Sequence, residues 1–151
     1  MKTIFIFHCL VISMIFGGCT QPKSSLIKGT WKWISYESRV GDTLKWKMTG
    51  ADPQNSGIKM WSDNYFVAIY RIGKDTIFKY SYSGGTYHFE GTLYEETVIY
   101  HDMINIPELV GTKEMMLLEI KKDTLFQTYP VDENGNLFKK NTIIEKFVRL
   151  D

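Results

Sequence analysis

The chain has 151 residues, of which 18 are basic and 17 are acidic, and its formal net charge is +1. This balance provides no basic surface for a nucleic acid, so we exclude nucleic acid as a partner. Only 2 cysteines are present, and Cys9 lies in the apolar start of the chain, so no disulfide framework is predicted.

The first 18 residues are typical of a secretory signal peptide. Lys2 provides one positive charge, and residues 4–18 are apolar except for His8 and Ser13. A membrane-spanning helix needs about 20 consecutive apolar residues, whereas the apolar part of a signal peptide needs only about 7–15. We therefore predict that residues 1–18 are a signal peptide that is removed.

Cys19 directly follows two glycines at the end of this segment. The sequence Phe16-Gly17-Gly18-Cys19 resembles the lipobox of bacterial lipoproteins. The resemblance implies that diacylglycerol alkylates the Cys19 thiol, that the chain is cut before Cys19, and that the new amino group is acylated. Two or three acyl chains hold a protein durably at a bilayer. The alternative is a buried cysteine or a disulfide to Cys9, and the disulfide is disfavoured because Cys9 leaves with the signal peptide.

Residues 19–25 form the predicted tether between lipid and domain, because residues 20–25 are polar and contain a proline. In many Gram-negative lipoproteins, an aspartate directly after the acylated cysteine resembles an inner-membrane retention signal. This chain has Thr20 at that position. We therefore predict an outer-membrane location that faces the periplasm. Removal of the signal peptide takes away Lys2 and no acidic residue, so the mature chain is predicted to be neutral.

Residues 26–151 are predicted to form one all-β domain. They contain all 4 tryptophans and all 9 tyrosines but only two alanines, which favours strands. Gly84 and Gly85 are predicted to turn a hairpin, residues 43–48 to form a half-buried strand, and residues 106–110 to form a helical turn ended by Gly111. Alternation and turn residues predict about ten strands: 30–38, 43–48, 58–61, 65–71, 76–82, 86–89, 93–101, 112–120, 124–129 and 142–150.

A succession of hairpins with almost no helix leaves two architectures, a sandwich and a closed up-and-down barrel. Closure removes exposed edges, which favours the barrel for a chain with many aromatic strands. Gly29-Thr30-Trp31 resembles the Gly-x-Trp motif of lipocalins, and Arg149 matches the basic residue that packs over that tryptophan in lipocalins. A guanidinium over an indole ring contributes roughly 0.5–2 kcal/mol.

Further landmarks follow in order, from Gly84-Gly85-Thr86-Tyr87 to Glu145-Lys146-Phe147-Val148-Arg149. Together they resemble the lipocalin-like domain of uncharacterised secreted proteins and lipoproteins of bacteria. The resemblance implies an up-and-down antiparallel β-barrel of about 8–10 strands, with Trp31 and Arg149 closing one end. It implies an interior cup but no particular ligand.

Strand alternation then gives candidate ligand-binding residues. If Trp31 points inward, Trp33 and Ser35 do so too, and Glu145 accompanies Arg149. On the strand 93–101, choosing the stripe that contains Tyr94 rests on the family resemblance. The predicted lumen is aromatic with a few polar anchors, as small-molecule sites are. The candidates are Trp33, Tyr70, Tyr94, Glu96, Tyr100 and Glu145.

Two alternatives remain open for the lumen. A small barrel can be filled by its own side chains. Glu96 or Glu145 can also be structural, paired with Arg149 or Arg71, because a buried carboxylate is costly unless it is paired.

No catalytic residue, metal ligand or cofactor is predicted. After removal of the signal peptide only His88 and His101 remain, and neither lies in a nucleophile motif or has the spacing of a zinc site. Two functions therefore remain. The first is a lipid-anchored barrel that binds a small, partly apolar or aromatic ligand in the cell envelope. The second is a non-catalytic module with a filled barrel that contacts another envelope protein through Trp46, Trp61 and Phe138.

Overall fold

The structure, a computed structural model, describes residues 26–74, 76–102, 107–138 and 140–151. The predicted signal peptide, Cys19 and the tether lie outside the described residues. Within the described ranges, no helix has the length and apolar character needed to cross a membrane.

The described residues form nine strands and one short 3-10 helix, so the all-β prediction is confirmed. The 3-10 helix, Pro107–Leu109, lies inside the predicted helical turn. The strands are β1 (Gly29–Val40), β2 (Thr43–Thr49), β3 (Ser56–Trp61), β4 (Tyr65–Lys74), β5 (Ile77–Glu90), β6 (Leu93–His101), β7 (Lys113–Lys121), β8 (Thr124–Tyr129) and β9 (Thr142–Arg149).

The sheet closes into the predicted up-and-down antiparallel barrel. From β3 to β9 each strand pairs with the next, and β9 returns to pair with β1. One edge of β1 pairs with β9 along most of its length, while the other pairs first with β3 and then with β2. Eight strands therefore form the barrel, and β2 is an additional strand beside the second half of β1.

The two ends of the barrel differ in their connections. Tight turns join β3 to β4, β5 to β6 and β7 to β8 at one end, where Leu26 and Leu150 also lie. We call this the closed end. The connections that lead to and from β2, and those between β4 and β5, β6 and β7, and β8 and β9, lie at the other end, which we call the open end.

Trp31 and Arg149 lie together at the closed end. They are direct partners in the β1–β9 pairing, and the Arg149 guanidinium carbon is 4.3 Å from the centre of the Trp31 ring. The guanidinium also donates to the carbonyl oxygens of Leu26 and Lys28, the latter at 2.8 Å. The Trp31 indole N–H donates to the Ile27 carbonyl oxygen at 2.8 Å. These bonds fix the start of the domain beneath the barrel.

The hairpin predicted at Gly84 and Gly85 is wrong, because β5 runs continuously through both glycines. A β-bulge falls between them in the pairing with β6. A Cβ atom on Gly85 would overlap the carbonyl oxygen of Thr97. The glycine therefore permits a close approach of two backbones rather than a reversal of the chain.

The strand predicted at residues 43–48 exists as β2, but it is not half-buried. All of its residues except Met48 are exposed, since β2 pairs with one strand only, the second half of β1. Its Trp46 is 51% exposed and makes an edge contact with Tyr36, with ring centres 5.3 Å apart.

Candidate ligand-binding site in the barrel interior

The half of the barrel nearer the closed end is filled by large aromatic side chains. Trp31, Tyr94 and Phe147 have no exposed surface, and Trp61 is 3% exposed. The Trp61 ring makes edge contacts with all three, with ring centres 6.2–6.5 Å apart. Burying one such side chain contributes roughly 1.5–3 kcal/mol, so this layer is a stabilising core.

A buried ion pair lies directly above this core. The Lys59 ammonium pairs with the Glu96 carboxylate, and both side chains are 5% exposed. The Tyr94 hydroxyl donates to Glu96 at 2.7 Å and accepts a hydrogen bond from the Trp61 indole N–H at 2.6 Å. Lys59 also donates to the side-chain oxygen of Gln127 at 3.4 Å. Burial, and then the charge of Glu96, holds the pKa of Tyr94 well above its usual value.

Aromatic rings surround the Lys59 ammonium. It lies 5.1 Å from the centre of the Trp61 ring and 5.0 Å from that of Phe66. The Tyr94 ring centre is 5.8 Å away. We call Lys59, Trp61, Phe66, Tyr94 and Glu96 the lower cage. It holds an ammonium ion that belongs to the protein itself.

A second group of inward side chains lies nearer the open end. Glu145 of β9 is directly opposite Tyr36 of β1 and accepts a hydrogen bond from the Tyr129 hydroxyl at 3.2 Å. Trp33 packs edge-on against Tyr70, with ring centres 6.2 Å apart. We call these five residues, Trp33, Tyr36, Tyr70, Tyr129 and Glu145, the upper cage.

The carboxyl of Glu145 has a strongly shifted pKa. Burial raises the pKa of its carboxyl to about 7, although the charge of Lys59 and the Tyr129 hydroxyl oppose the shift. Burial, and then the charge of Glu145, raises the pKa values of Tyr36, Tyr70 and Tyr129. The carboxyl therefore titrates near neutral pH among phenols that remain protonated.

The indole N–H of Trp33 is another unusual group. Trp33 is 3% exposed, and its N–H is close enough to Glu145 to lower the pKa of that carboxyl. The geometry is nevertheless not that of a hydrogen bond, and no other atom in the described part of the chain accepts from this N–H. Leaving a buried donor unpaired costs roughly 1–3 kcal/mol.

Five of the six predicted ligand-binding residues lie in the two cages, and the sixth, Tyr100, does not. Trp33, Tyr70 and Glu145 meet in the upper cage. Tyr94 and Glu96 belong to the lower cage, where Glu96 is paired with Lys59 rather than with Arg149 or Arg71. Glu96 is therefore paired within the protein, as the structural alternative for this residue predicted, although its partner is Lys59.

Tyr100 lies outside the barrel, so its predicted position in the lumen is wrong. The bulge pairs Gly85 with Val98 and Gly84 with Tyr100, which moves one residue of β6 out of alternation. Tyr100 therefore shares the outer face with Gly84 and is 44% exposed. A bulge reverses the faces of every residue beyond it.

A second bulge has the opposite effect on β1. The pairing with β9 shifts between Trp33 and Ser35, so Tyr36 takes the inward position that alternation had given to Ser35. Ser35 is instead opposite Lys146 on the outer face. The prediction for Ser35 was therefore wrong, and Tyr36 was missed for the same reason.

Sequence reasoning also missed Lys59, Gln127 and Tyr129. The pattern contained a signal for each, because Lys59 shares a stripe with Trp61, and Gln127 and Tyr129 share one with Leu125. Lysine and glutamine were expected at the surface, where they mostly lie. The ion pair with Glu96, together with Gln127 and the surrounding rings, explains a lysine in this interior.

The barrel also has an apolar groove on its outer wall, with a volume of about 480 Å³. Ile58, Met60, Ile69, Tyr80 and Leu150 are among its lining residues. The groove is separate from both cages, because Ile58, Met60 and Ile69 point away from the interior. Trp46 and Phe138 are exposed as predicted, but Trp61 is not. It faces inward opposite Phe66, so its predicted contact with another protein is wrong.

Within the described ranges, His, Cys, Asp and Glu side chains form no group of three or more that could hold a metal ion. Comparisons of the chain with models of protein families, with curated proteins and with solved structures found no match. The likeness to lipocalins and to bacterial lipoproteins therefore stays a prediction from the sequence. The fold defines the chain as an eight-stranded closed antiparallel barrel with one additional strand.

Proposed function

We propose that this protein is a lipid-anchored lipoprotein of the cell envelope whose barrel binds a small, partly apolar ligand in the upper cage. The observation that carries the proposal is the partial exposure of this cage. Tyr36, Tyr70, Tyr129 and Glu145 point into a closed barrel, yet each is only half-buried. The residues beneath them, such as Tyr94 and Phe147, have no exposed surface.

The chemistry of the upper cage supports binding rather than filling. Its wall is aromatic, and its polar groups are few and point toward one another, as in most small-molecule sites. The indole N–H of Trp33, which makes no hydrogen bond of good geometry, and the Glu145 carboxyl, whose pKa is raised to about 7, are both costly to bury. A ligand with suitable polar groups would remove both costs. The proposal includes no catalytic residue.

The position of Leu26, the first residue that the structure describes, supports the anchor. Leu26 is held at the closed end by Arg149, so a lipid on Cys19 would bring that end nearest the bilayer. Residues 19–25 span at most about 25 Å even when fully extended. The open end would then face away from the lipid, which suits a ligand that arrives through the periplasm at the outer membrane.

The anchor is tested by labelling cells with a radioactive or alkyne-tagged fatty acid. The protein should incorporate the label and partition with membranes, and a Cys19→Ala variant should lose the label. An unlabelled protein that retains Met1 would contradict the anchor. This result would leave ligand binding by the barrel open to its own test.

Ligand binding is tested by native mass spectrometry of the full chain, purified from membranes in dodecyl maltoside. We expect a non-covalent species in addition to the acylated polypeptide, which dissociates at raised collision energy. A Tyr70→Ala variant should reduce its occupancy, whereas Tyr82→Ala, on the outer wall, should not. Absence of the species, together with a structure in which side chains alone fill the upper cage, would contradict ligand binding.

The outer-wall groove favours a second candidate function, contact with another envelope protein. Its lining is mainly apolar, and Ile69 and Tyr80 within it are 47% and 65% exposed. Exposed apolar patches of this kind are typical of protein contacts. A photo-crosslinking residue at position 69 should then give one discrete protein adduct in cells, and one at position 119 on β7 should give none. Equal labelling from both positions would contradict this candidate.

A further inference from the structure

The acidic side chains buried in this protein are balanced in different ways. Glu96 is paired with Lys59 inside the barrel. Glu145 has no cationic side chain within ion-pair distance among those that the structure describes. Among the described residues, Glu145 is therefore a half-buried carboxyl without an ion-pair partner.

Glu37 on the outer face is the useful contrast. It is 4% exposed and pairs with Arg39 at 2.9 Å, Lys47 at 3.1 Å and Lys146 at 3.4 Å. The hydrogen bond from Arg39, and those from the lysines, lower its pKa to about 2. The protein thus provides cations for a buried carboxylate elsewhere, but not in the upper cage.

The lower cage shows what the upper cage lacks. In the lower cage an ammonium lies among three aromatic rings and pairs with Glu96. The upper cage has the same components around Glu145, namely one indole and three phenol rings, but no ammonium of its own. Aromatic faces attract cations, most strongly when the site is desolvated, and quaternary ammonium ligands are recognised in this way.

Trp33 provides an independent indication of a ligand. Its indole N–H is almost fully buried and lies beside the Glu145 carboxyl, but it makes no hydrogen bond of good geometry with any described residue. Because an N–H can only donate, a ligand that pairs with it must include an acceptor atom. An ammonium alone would satisfy Glu145 but not Trp33.

We propose that the upper cage binds a small organic ammonium ion that carries a hydrogen-bond-accepting oxygen. The ammonium pairs with the Glu145 carboxylate among the rings of Tyr36, Tyr70 and Tyr129, and the oxygen accepts from Trp33. This inference rests on the proposed function, because it specifies the class of ligand for the same site. It adds that charge, and not only apolar contact, selects the ligand.

Binding of an ammonium ion beside Glu145 should depend on pH. The titratable groups that face Glu145 are Tyr36 of β1, Lys59 of β3, Tyr70 of β4, Glu96 of β6, Glu114 of β7 and Tyr129 of β8. The tyrosines stay protonated at neutral pH, and Lys59 and Glu96 form one ion pair. Partial burial, and then the charge of Glu96, raises the pKa of Glu114, but that side chain is exposed at the open end. Glu145 is therefore the group expected to control affinity.

The test uses two probes of the same shape that differ in charge. Choline carries a permanent ammonium and a hydroxyl, and 3,3-dimethylbutan-1-ol replaces its nitrogen with carbon. Binding of each to the full chain in dodecyl maltoside is measured by calorimetry, with the empty micelle as the baseline. At pH 8 we expect choline to bind at least tenfold more tightly than the alcohol. From pH 8 to pH 6 its affinity should fall about tenfold as Glu145 takes up a proton.

Two variants with the same chemical change complete the test. Glu145→Gln keeps the shape of the side chain and removes its charge, so the preference for choline should fall to within about twofold. Glu119→Gln makes the same change on the outer wall, where Glu119 pairs with Lys121, and should retain the preference. Melting curves of both variants show whether they fold.

Three outcomes would overturn the inference. They are equal or tighter binding of the alcohol to the unaltered protein, equal choline affinity at pH 6 and pH 8, and an unchanged preference in Glu145→Gln. If neither probe binds but native mass spectrometry still detects a non-covalent ligand, the cationic ligand is wrong and the proposed function stands. If no ligand is detected by either method, both are wrong.

Discussion

The two cages of the barrel contain nearly the same types of side chain but serve different purposes. The lower cage contains a carboxylate, aromatic rings and the Lys59 ammonium, and its members are 0–4% exposed. The upper cage contains a carboxyl and aromatic rings without an ammonium, and four of its five members are half-buried. A polar group inside a barrel thus stabilises the fold when its partner belongs to the chain. The same kind of group can serve binding when its partner must come from outside.

The largest expected effect comes from breaking the lower cage. Replacing Lys59 with methionine leaves the Glu96 carboxylate buried without a counter-ion, which should lower the free energy of unfolding by about 3–5 kcal/mol. Chemical denaturation measures this loss.

The matched control for this change is Lys121→Met on the outer wall, which should change stability by less than about 1 kcal/mol, because its pairing with Glu119 is exposed. The double variant Lys59→Met/Glu96→Leu removes both charges and should recover most of the loss. A double variant as unstable as the single one would contradict the view that the ion pair is balanced within the cage.

An intermediate effect is expected at the bulge that moves Tyr100 out of the lumen. Gly85→Ala should cost about 1–3 kcal/mol, because its Cβ would meet the Thr97 carbonyl of the neighbouring backbone. Gly84→Ala should cost less, since its Cβ meets only the ring of Tyr100, an exposed side chain that can move. Thermal unfolding of the two variants compares them directly. Equal losses would contradict the close backbone approach at Gly85.

The smallest expected effect is the pH dependence of stability, which should differ in sign between Glu145 and Glu37. Burial raises the pKa of Glu145 from about 4.5 in the unfolded chain to about 7, so the folded state binds the proton more tightly. Its contribution to stability is therefore lost as the pH rises from about 4.5 through 7. Glu145→Gln should stabilise the protein by up to about 2 kcal/mol more at pH 8 than at pH 5.

Glu37→Gln should show the opposite dependence. The pKa of Glu37 is lowered to about 2, so its stabilising effect is present above about pH 4.5 and is lost as the pH falls toward 2. Urea denaturation across this pH range measures both variants. A Glu145→Gln variant whose effect does not change with pH would contradict the raised pKa.

The sequence was sufficient to predict the barrel and part of its interior. Gly-x-Trp and Arg149 indicated which strands meet, and alternation along β9 correctly placed Glu145 and Phe147 on one face. Local alternation succeeds wherever a strand is regular, because successive side chains point to opposite faces. The prediction of Trp33 in the lumen depended on such a regular stretch.

The failures have physical causes that lie outside a single strand. A bulge is created by the pairing of two strands, so the reversal at Tyr100 and the inward turn of Tyr36 depend on residues of β5 and β9. Gly85 carried a signal, but glycine pairs are also typical of turns. The cage around Lys59 depends on three strands, β3, β4 and β6, and a lysine has no local feature that predicts burial.

The most direct test of the account is the titration of the Glu145 side chain itself, followed by carbon NMR of the labelled carboxyl groups with and without choline. We expect the Glu145 carboxyl to have a pKa of about 7 in the free protein and a pKa lower by about one unit or more when choline is saturating. The Glu37 signal should titrate near pH 2 in both states. A Glu145 carboxyl that titrates near 4.5, or one whose pKa choline leaves unchanged, would contradict the binding of an organic ammonium ion in the upper cage.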